Sequence, residues 1–394
     1  MLSDGDILDP LILRSLIKEF IVTQSLKKNE PKKSELILEV LPVPGYEKIV
    51  KVTHLKSKLQ AIIAIHSTAL GKALGGTRIY PYSSFDQALT DALRLAKGMS
   101  YKSAIAGTGF GGGKAVIIAN PKIDKTEDLL LAYAEAIDSL KGEFITAEDS
   151  GSDENDFTII SKKTKYIAGL AHEKSSGNPS RFTAWGTYRG IQSALQKLYG
   201  SNSVQNKKIA IQGVGCVGEF LVDFLFWEGA DITITDTNFD TMKRVAKKYG
   251  AKTVSPDEIY HQECDVFSPC GFGGILNSNT IPTLRCKAIV GAANNQLLAD
   301  EDADELKQKR ILYAPDFVVN GGGLINVSQE LAAEGYNPKT PHERAHNIYQ
   351  SLLTIFEDAE KNDVSTHHAA VSIAEYRMNA GIGKRLEDPH FHCT

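Results

Sequence analysis

The chain has 394 residues, of which 42 % are hydrophobic and 23 % are charged, so it is long enough for two domains and has the composition of a globular protein. Its net charge of −4 argues against nucleic acid as a main partner. Its longest apolar runs fall well short of the roughly 18 residues that cross a membrane. An acidic N-terminus without a signal peptide favours a cytoplasmic protein with no membrane partner. Five scattered cysteines without a CxxC pair predict reduced thiols, and no metal site is expected.

The first part of the chain predicts a helix, a linker and then paired strands. Residues 1–35 have the apolar spacing of an amphipathic helix followed by a lysine-rich linker. Residues 49–52 and 59–66 alternate between apolar and polar positions, which predicts two paired strands. A glycine-rich loop is expected at residues 74–76. Ser84 is the predicted N-cap of a helix that Gly98 closes.

The first half of the chain is organised around residues 101–119, YKSAIAGTGFGGGKAVIIA. Two apolar runs around five glycines predict a strand, a glycine loop and a second strand, with Lys114 in the loop. The apolar flanks and a second cation at Lys102 disfavour the ammonium form, so Lys114 is a candidate acid or base. A phosphate-binding P-loop is excluded because Ala115 stands where Ser or Thr is required. A tight turn with a snorkelling lysine is the alternative.

A carboxylate follows the next predicted strand, which covers residues 143–147 and comes after a helix capped by Thr126. Asp149 lies directly after this strand and near Gly151, and this is a common placement for a catalytic acid. Asp149 is equally well suited to be the N-cap of the following helix. The sequence pattern leaves both interpretations open.

A dinucleotide-binding motif opens the second half of the chain. Residues 208–212 predict a strand, Gly213, Gly215 and Gly218 form a GxGxxG turn before a helix, and Asp236 ends the next strand. In such a motif the helix N-terminus holds the pyrophosphate and the acid binds the ribose hydroxyls. Because a carboxylate at that position repels a 2′-phosphate, we expect NAD rather than NADP. A purely structural βαβ unit is the alternative.

Three further predicted strands, within residues 265–271, 288–295 and 311–323, end in small or amide residues at one edge of the same sheet. Asn294, Asn295 and Asn320 are therefore candidates to orient a nicotinamide amide or a substrate amine. They could instead be turn formers. A last helix at about residues 369–379 is expected to return to the first domain.

Together these motifs resemble one enzyme family. From about residue 46 to 376 the chain is similar to the amino-acid dehydrogenases of the glutamate, leucine, phenylalanine and valine group, through ALGGTR, DALRLAKGMSYK, GGGKAVII, ITAED, SSGNPS, TAWGTYRG, GVGCVG, GAANNQL and YAPDFVVNGGG. The resemblance implies an α/β protein with an N-terminal α/β substrate and oligomerisation domain and a Rossmann-type dinucleotide-binding domain. The expected boundaries are an extension at 1–35, the substrate domain at 36–178 completed by a C-terminal helix within 363–394, and the NAD domain at 179–362.

The resemblance also implies roles for individual residues. Lys102 would bind the substrate α-carboxylate, Lys114 would be the catalytic lysine, and Asp149 would move protons to and from the substrate nitrogen. The other implied substrate contacts are Leu74, Gly75, Gly76, Ala147, Asn295, Leu324 and Val327. The implied cofactor contacts are Thr183, Gly213, Val214, Gly215, Cys216, Val217, Gly218, Asp236, Thr237, Ala293, Asn294 and Asn320.

The implied reaction is the NAD-dependent, reversible oxidative deamination of an aliphatic branched-chain L-amino acid to a 2-oxo acid and ammonia. The aliphatic and small residues implied for the substrate pocket disfavour a γ-carboxylate, because a buried unpaired carboxylate is costly. They discriminate poorly among leucine, valine, isoleucine and phenylalanine. A phenylalanine-specific enzyme and a catalytically silent NAD-binding sensor are therefore the alternatives.

Two further expectations concern charge and assembly. Asp153 and Glu154 add negative charge close to Asp149 in sequence, which is expected either to raise the pKa of that carboxyl group or to alter ammonium release. A homo-oligomer, from dimer to octamer, is expected from the resemblance. Two domains also predict a cleft that closes on the substrate.

Overall fold

The computed structural model describes residues 36–170 and 176–391, and these residues form two compact units. The N-terminal unit contains residues 36–100 and 110–170, and the C-terminal unit contains residues 101–109 and 176–391. The predicted amphipathic helix within residues 1–35 lies outside the described residues. No helix in the part of the chain that the structure describes combines the length and apolar character needed to span a membrane.

The N-terminal unit is built on a six-stranded mixed sheet in the order β1-β2-β3-β5-β4-β6. The strands are β1 Leu36–Leu41, β2 Lys48–His54, β3 Leu59–Ser67, β4 Ala73–Tyr80, β5 Gly111–Ile118 and β6 Phe144–Glu148. Strand β4 lies parallel to both β5 and β6, and the other neighbouring strands pair antiparallel. The predicted pairing of residues 49–52 with 59–66 is confirmed as β2 with β3.

Helices cover both faces of this sheet. They are α1 Phe85–Ala106, whose last turn belongs to the C-terminal unit, α2 Glu127–Ser139 and α3 Glu154–Ile160. On β3, Ile63 packs in the core that contains the buried face of α2, whereas Ile62 packs with the buried alanines of α1. Successive residues of a strand point to opposite faces, so a strand that is apolar at consecutive positions is buried on both sides. Thr126 caps α2 by accepting from the Leu129 N–H, as predicted.

The organising stretch forms a helix end and a strand, so the first predicted strand and the predicted glycine loop are wrong, whereas the second predicted strand is confirmed within β5. Helix α1 continues through Gly98 to Ala106, because one glycine costs a helix only about 1 kcal/mol. The turn follows at Gly107, where φ is +62°. Gly111 to Gly113 and Lys114 all lie within β5, and residues 74–76 lie within β4 rather than in a loop. Ser84 does cap α1, since its Oγ accepts from the Gln87 N–H at 3.1 Å.

Glycines are required in β4 and β5 because neighbouring atoms approach the backbone closely. A Cβ added at Gly113 would lie 2.7 Å from the Phe144 ring, and one at Gly75 would lie 1.8 Å from the Gly113 carbonyl oxygen. Real Cβ atoms do not approach neighbours so closely. The glycines therefore allow tight strand packing, which a sequence pattern cannot distinguish from a flexible loop.

The C-terminal unit is a parallel sheet in the order β12-β11-β10-β7-β8-β9. Its strands are β7 Lys208–Gln212, β8 Asp231–Thr235, β9 Lys252–Thr253, β10 Cys264–Pro269, β11 Cys286–Ile289 and β12 Leu312–Tyr313. Counted within this unit from β7, the order is 3-2-1-4-5-6, which is that of the dinucleotide-binding Rossmann fold. The predicted βα alternation is confirmed.

Eight helices beyond α1 accompany this sheet within the described residues. They are α4 Ser180–Tyr199, α5 Cys216–Trp227, α6 Phe239–Tyr249, α7 Asp302–Gln308, α8 Asp316–Val319, α9 Gly321–Ser328, α10 Lys339–Asn362 and α11 Thr366–Asn379. Three short 3₁₀ helices lie at Glu258–His261, Ile281–Thr283 and Gln329–Leu331.

The last helix, α11, packs within the C-terminal unit. The sequence had predicted that this helix would return to the first domain. Helix α11 contacts α10 and the last turn of α1. The Arg377 guanidinium donates to the carbonyl oxygens of Ala104 and Ile105 at 3.1 and 2.8 Å. Tyr101 donates to Glu375 at 2.6 Å. A cation at a helix C-terminus satisfies carbonyl groups that have no partner in the helix, so α11 stabilises the end of α1.

Candidate active site and dinucleotide-binding turn

The centre of the N-terminal unit's candidate site is an ion pair between Lys114 and Asp149. Lys114 lies on β5, Asp149 directly follows β6, and β4 lies between these two strands. The Lys114 Nζ is 2.5 Å from Asp149 Oδ2, and the two side chains are only 7 % and 16 % exposed. Burying two charges in this way is costly unless they are paired and hydrogen-bonded. The structure therefore places a closely paired and little-exposed lysine and carboxylate at one end of the sheet.

A second cation, Arg78, contacts the same carboxylate. Its Nε lies 3.3 Å from Asp149 Oδ2, and its Nη1 donates to Asp91 Oδ2 on α1 at 2.9 Å. Sequence reasoning missed Arg78 as a site residue. Residues two apart on a strand share a face, so the spacing of Arg78 from Gly76 would have placed both at the same site. This signal was lost because residues 74–76 were predicted to be a loop.

The two cations determine the protonation state of Asp149. Burial raises the pKa of this carboxyl group, but the charges of Lys114 and Arg78 outweigh burial and lower the pKa to about 2. Asp149 is therefore ionised at ordinary pH. The expectation that Asp153 and Glu154 raise this pKa is wrong. Together with burial, their charges instead raise the pKa of Glu148.

Asp153, not Asp149, is the N-cap of α3. Its side chain accepts from the backbone N–H groups of Asn155 and Asp156, and Lys125 lies 2.9 Å away. The alternative role of Asp149 as the cap of this helix is therefore wrong. Its carboxylate faces Lys114 and Arg78, while its own N–H donates to the Ser152 hydroxyl.

Gly76 leaves room for this pair. A Cβ at Gly76 would lie 2.8 Å from the Asp149 Cβ and 3.3 Å from the Lys114 Nζ. Gly76 pairs with Ala147 across β4 and β6, and Leu74 is buried on the same strand. The structure thus places together, within the N-terminal unit, the predicted site residues Leu74, Gly75, Gly76, Lys114, Ala147 and Asp149.

The C-terminal unit brings Lys102 together with two of the candidate asparagines. The Asn294 Oδ1 accepts from Lys102 Nζ at 3.2 Å and from Asn320 Nδ2 at 2.9 Å. Asn320 also donates to the Ala292 carbonyl oxygen, while its own buried Oδ1 has no hydrogen-bond partner in the described residues. Asn295 has φ +51°, so the turn-forming role fits this asparagine.

The remaining candidates in this unit lie close to the same edge or on α9. Ala293 is buried and its N–H donates to the Pro269 carbonyl oxygen at 2.9 Å. Thr183, in the first turn of α4, donates to the Pro179 carbonyl oxygen at 3.1 Å, and a Cβ at Gly323 would lie 2.6 Å from its Oγ1. Leu324 and Val327 are half-buried and one turn apart on α9.

The GxGxxG turn has the shape that a pyrophosphate requires. Gly213 has φ +91°, and a Cβ at Gly218 would lie 2.1 Å from the Gly213 carbonyl oxygen. A Cβ at Gly215, the N-cap of α5, would meet no heavy atom within 4 Å, so the space beside this helix end is open. Val214 lies in the turn, and Cys216, Val217 and Gly218 form the first turn of α5. These features fit a dinucleotide.

Asp236 is tied to the same turn. Its Oδ2 accepts from the Val214 N–H and its Oδ1 from the Asn238 N–H, each at 2.7 Å. A carboxylate has about four acceptor positions, so capacity remains for ribose hydroxyls. Thr237 follows it before α6. Within residues 36–170 and 176–391, no group of three His, Cys, Asp or Glu side chains is placed to hold a metal ion.

A parallel sheet in this strand order, with a glycine turn at its first helix and an acid after its second strand, defines a dinucleotide-binding protein. Residues 48–166 match the family model described as Glu/Leu/Phe/Val dehydrogenase, dimerisation domain. Residues 233–382 match the model described as Glutamate/Leucine/Phenylalanine/Valine dehydrogenase. The chain therefore belongs to this family of amino-acid dehydrogenases, which use a nicotinamide cofactor.

Several relatives cover most of the chain. It is 46 % identical over 334 residues to leucine dehydrogenase from Geobacillus stearothermophilus, covering 84 % of this chain and 90 % of the relative. Phenylalanine dehydrogenase from Caldalkalibacillus thermarum is 43 % identical over 85 % of this chain and 92 % of its own length. The crystal structure of L-tryptophan dehydrogenase from Nostoc punctiforme superposes with a TM-score of 0.74 at 43 % identity, covering 86 % of this chain and 97 % of its own.

Proposed function

We propose that this protein is an NAD-dependent dehydrogenase that converts leucine, and also valine and isoleucine, to the 2-oxo acid and ammonia. The observation that carries this proposal is the buried Lys114–Asp149 pair beside Gly76, which offers a proton donor and acceptor 2.5 Å apart. The 46 % identity to a leucine dehydrogenase supports the substrate class. A silent sensor has no need of such a costly buried pair.

The proposed reaction has two stages, which are the oxidation of the substrate and the hydrolysis of the product of that oxidation with help from protein side chains. A bound nicotinamide would supply the acceptor for the hydride that leaves the substrate Cα, and the substrate would then be an iminium. The amine of Lys114 then takes a proton from a water molecule as the water oxygen bonds to the iminium carbon. Asp149 passes the proton taken from the water to the carbinolamine nitrogen, the C–N bond breaks and ammonia leaves, and the neutral amine of Lys114 takes the hydroxyl proton as the carbonyl group forms. The Lys102 ammonium binds the substrate α-carboxylate throughout.

Asp149 would act as the proton shuttle because its charge is coupled to that of Lys114. Burial alone would raise the pKa of Asp149, so its low pKa depends on the cations beside it. When Lys114 becomes neutral, Asp149 loses part of that stabilisation and becomes a better proton acceptor. The pair is therefore proposed to exchange protons as one unit.

The substrate side chain is proposed to contact only apolar groups of the chain. In the N-terminal unit these are Leu74 and Ala147. Neither of them carries a charge that would compensate a substrate carboxylate, which disfavours glutamate. Phenylalanine is the second candidate substrate, because a relative of 43 % identity acts on it and one methylene is worth only about 1–3 kcal/mol in an apolar pocket.

We propose NAD as the cofactor because Asp236 presents a carboxylate at the end of β8. It would accept from the ribose hydroxyls and repel a 2′-phosphate. The buried Asn320 Oδ1 is an unused acceptor in the described residues and suits a carboxamide N–H. Gly213, Gly215 and Gly218 would hold the pyrophosphate against the N-terminus of α5.

We also propose that the chain forms a homo-oligomer. Strand β1 lies at the edge of the N-terminal sheet, and Ile37 and Val40 are 51 % and 56 % exposed. Apolar edge strands of this kind favour pairing with another chain. Light scattering during size-exclusion chromatography should give a mass at least twice 42.9 kDa, and a single-chain mass would contradict the proposal.

The substrate proposal is tested by measuring initial rates of cofactor reduction with NAD and, separately, with NADP. The amino acids to compare are leucine, valine, isoleucine, phenylalanine, tryptophan and glutamate. We expect the highest kcat/KM on leucine or its branched relatives with NAD. A higher kcat/KM on phenylalanine or tryptophan would replace the substrate assignment. No turnover on any of them, with NAD binding intact, would contradict the proposed reaction.

A further inference from the structure

Arg78 forms ion pairs with two acidic residues of the N-terminal unit. It lies on β4 two residues after Gly76, and its side chain is 20 % exposed. Its Nε contacts Asp149 Oδ2 at 3.3 Å and its Nη1 contacts Asp91 Oδ2 at 2.9 Å. Arg78 therefore links α1 to the end of β6 at the position where the Lys114–Asp149 pair lies.

The far side of Arg78 is fixed by a second hydrogen bond. The Tyr82 hydroxyl donates to the same Asp91 oxygen at 2.5 Å. Burial raises the pKa of the Tyr82 phenol well above its usual value, so Tyr82 stays protonated and remains a donor. A guanidinium held by a carboxylate of this kind has little rotational freedom, so its distance to Asp149 is well defined.

We propose that Arg78 is a positioning residue, which shares the Asp149 carboxylate with Lys114 and so determines how readily the Lys114–Asp149 pair releases a proton. This inference rests on the proposed function of that pair. Arg78 does not contact the reacting atoms in this account. It acts by competing with Lys114 for the negative charge that holds the proton on the lysine.

The charges around the pair give the direction of the effect. Lys114, Arg78 and the backbone of Ser150 face the Asp149 carboxylate. Asp149, Asp91 and Tyr82 face Arg78. Removing the positive charge of Arg78 leaves Asp149 to Lys114 alone, so a proton is held more tightly. Removing the negative charge of Asp91 leaves Arg78 acting on Asp149 alone, so a proton is held less tightly.

The test is the pH dependence of kcat/KM for leucine in Arg78→Gln, Arg78→Lys and Asp91→Asn. The part of the pH profile to compare is the ascending limb, on which kcat/KM rises with pH as the pair loses a proton. We expect Arg78→Gln to move this limb to higher pH by about one unit. Asp91→Asn should move it to lower pH. Arg78→Lys keeps the charge and should return the limb towards that of the unaltered protein.

Asp153→Asn is the matched control, because Asp153 lies close in sequence but caps α3 and pairs with Lys125. It should leave the limb in place, since Asn is also a good N-cap. A lower kcat in Arg78→Gln with an unmoved limb would overturn the inference and assign Arg78 a structural role only. If Arg78→Gln does not fold, the absence of a downward shift in Asp91→Asn overturns it. Failure of the unaltered protein to turn over any amino acid contradicts the proposed function instead.

Discussion

The candidate sites of the two units are built from different kinds of contact. In the N-terminal unit, charged side chains from β4, β5, α1 and the end of β6 meet in one partly buried network of Arg78, Asp91, Lys114 and Asp149. In the C-terminal unit, the binding turn consists of backbone, glycines and one acid within residues 213–236. The first arrangement depends on the tertiary fold and the second on local geometry. Substitutions should therefore alter proton transfer in one unit and cofactor affinity in the other.

The largest effect is expected from Lys114→Ala. Removing a general base typically costs about 10² to 10⁴ in rate, so turnover of leucine should fall by that amount while NAD affinity is kept. Initial rates and a separate NAD-binding titration measure the two quantities. Lys125→Ala is the control, because Lys125 is also a partly buried, ion-paired lysine of this unit but contacts Asp153 and Asp156. An equal loss of rate in both variants would mean that Lys114 acts only through stability.

Gly76→Ala should have the next largest effect. The new methyl group would lie 2.8 Å from the Asp149 Cβ, so the carboxylate must move away from Lys114. Misplacing a catalytic group by about 1 Å can cost about 10²-fold in rate, which initial rates would detect. Gly98→Ala, on α1 with no atom outside the local helix backbone within 4 Å of the new Cβ, should keep full activity and gain about 0.5–1 kcal/mol of stability. Full activity in Gly76→Ala would refute the role assigned to this close approach.

Asp236→Asn should weaken cofactor binding without slowing the chemical steps. An amide oxygen cannot replace both carboxylate oxygens that accept from Val214 and Asn238. Hydrogen bonds to charged groups are worth about 1.5–3 kcal/mol, so the KM for NAD should rise about tenfold or more while kcat changes little. The exposed Asp240 on α6 provides a matched control in Asp240→Asn. A fall in kcat at saturating NAD would show that Asp236 affects the chemical steps as well as cofactor affinity, and would contradict this contrast between the two units.

The smallest effect concerns stability at low pH. The Asp149 pKa falls from 3.8 to about 2 on folding, so its contribution is present above pH 3.8 and is lost as the pH falls through about 2. A shift of this size corresponds to about 2 kcal/mol. Urea unfolding between about pH 5 and pH 2 should show that Asp149→Asn loses less stability with falling pH than the unaltered protein. Parallel slopes would contradict the assigned pKa.

The same contrast explains what the sequence could predict. The GxGxxG turn and Asp236 are close in sequence, and their geometry follows from local rules, so the second sheet and its glycine turn were predicted correctly. The contact of Arg78 with Asp149 joins residues far apart in the chain, and no periodicity reports it. Glycines misled the prediction at residues 74–76 and 111–113, because close packing and loop flexibility require the same residue.

Lys114 and Asp149 are proposed to act as one proton-exchanging unit, and a double-mutant cycle tests this most directly. Turnover of leucine would be measured for Lys114→Ala, Asp149→Asn and the combined variant, each with NAD binding confirmed. If the residues act as a unit, the combined variant should be no slower than the slower single variant. Losses that multiply in the combined variant would show that the two residues act independently, and would contradict this account.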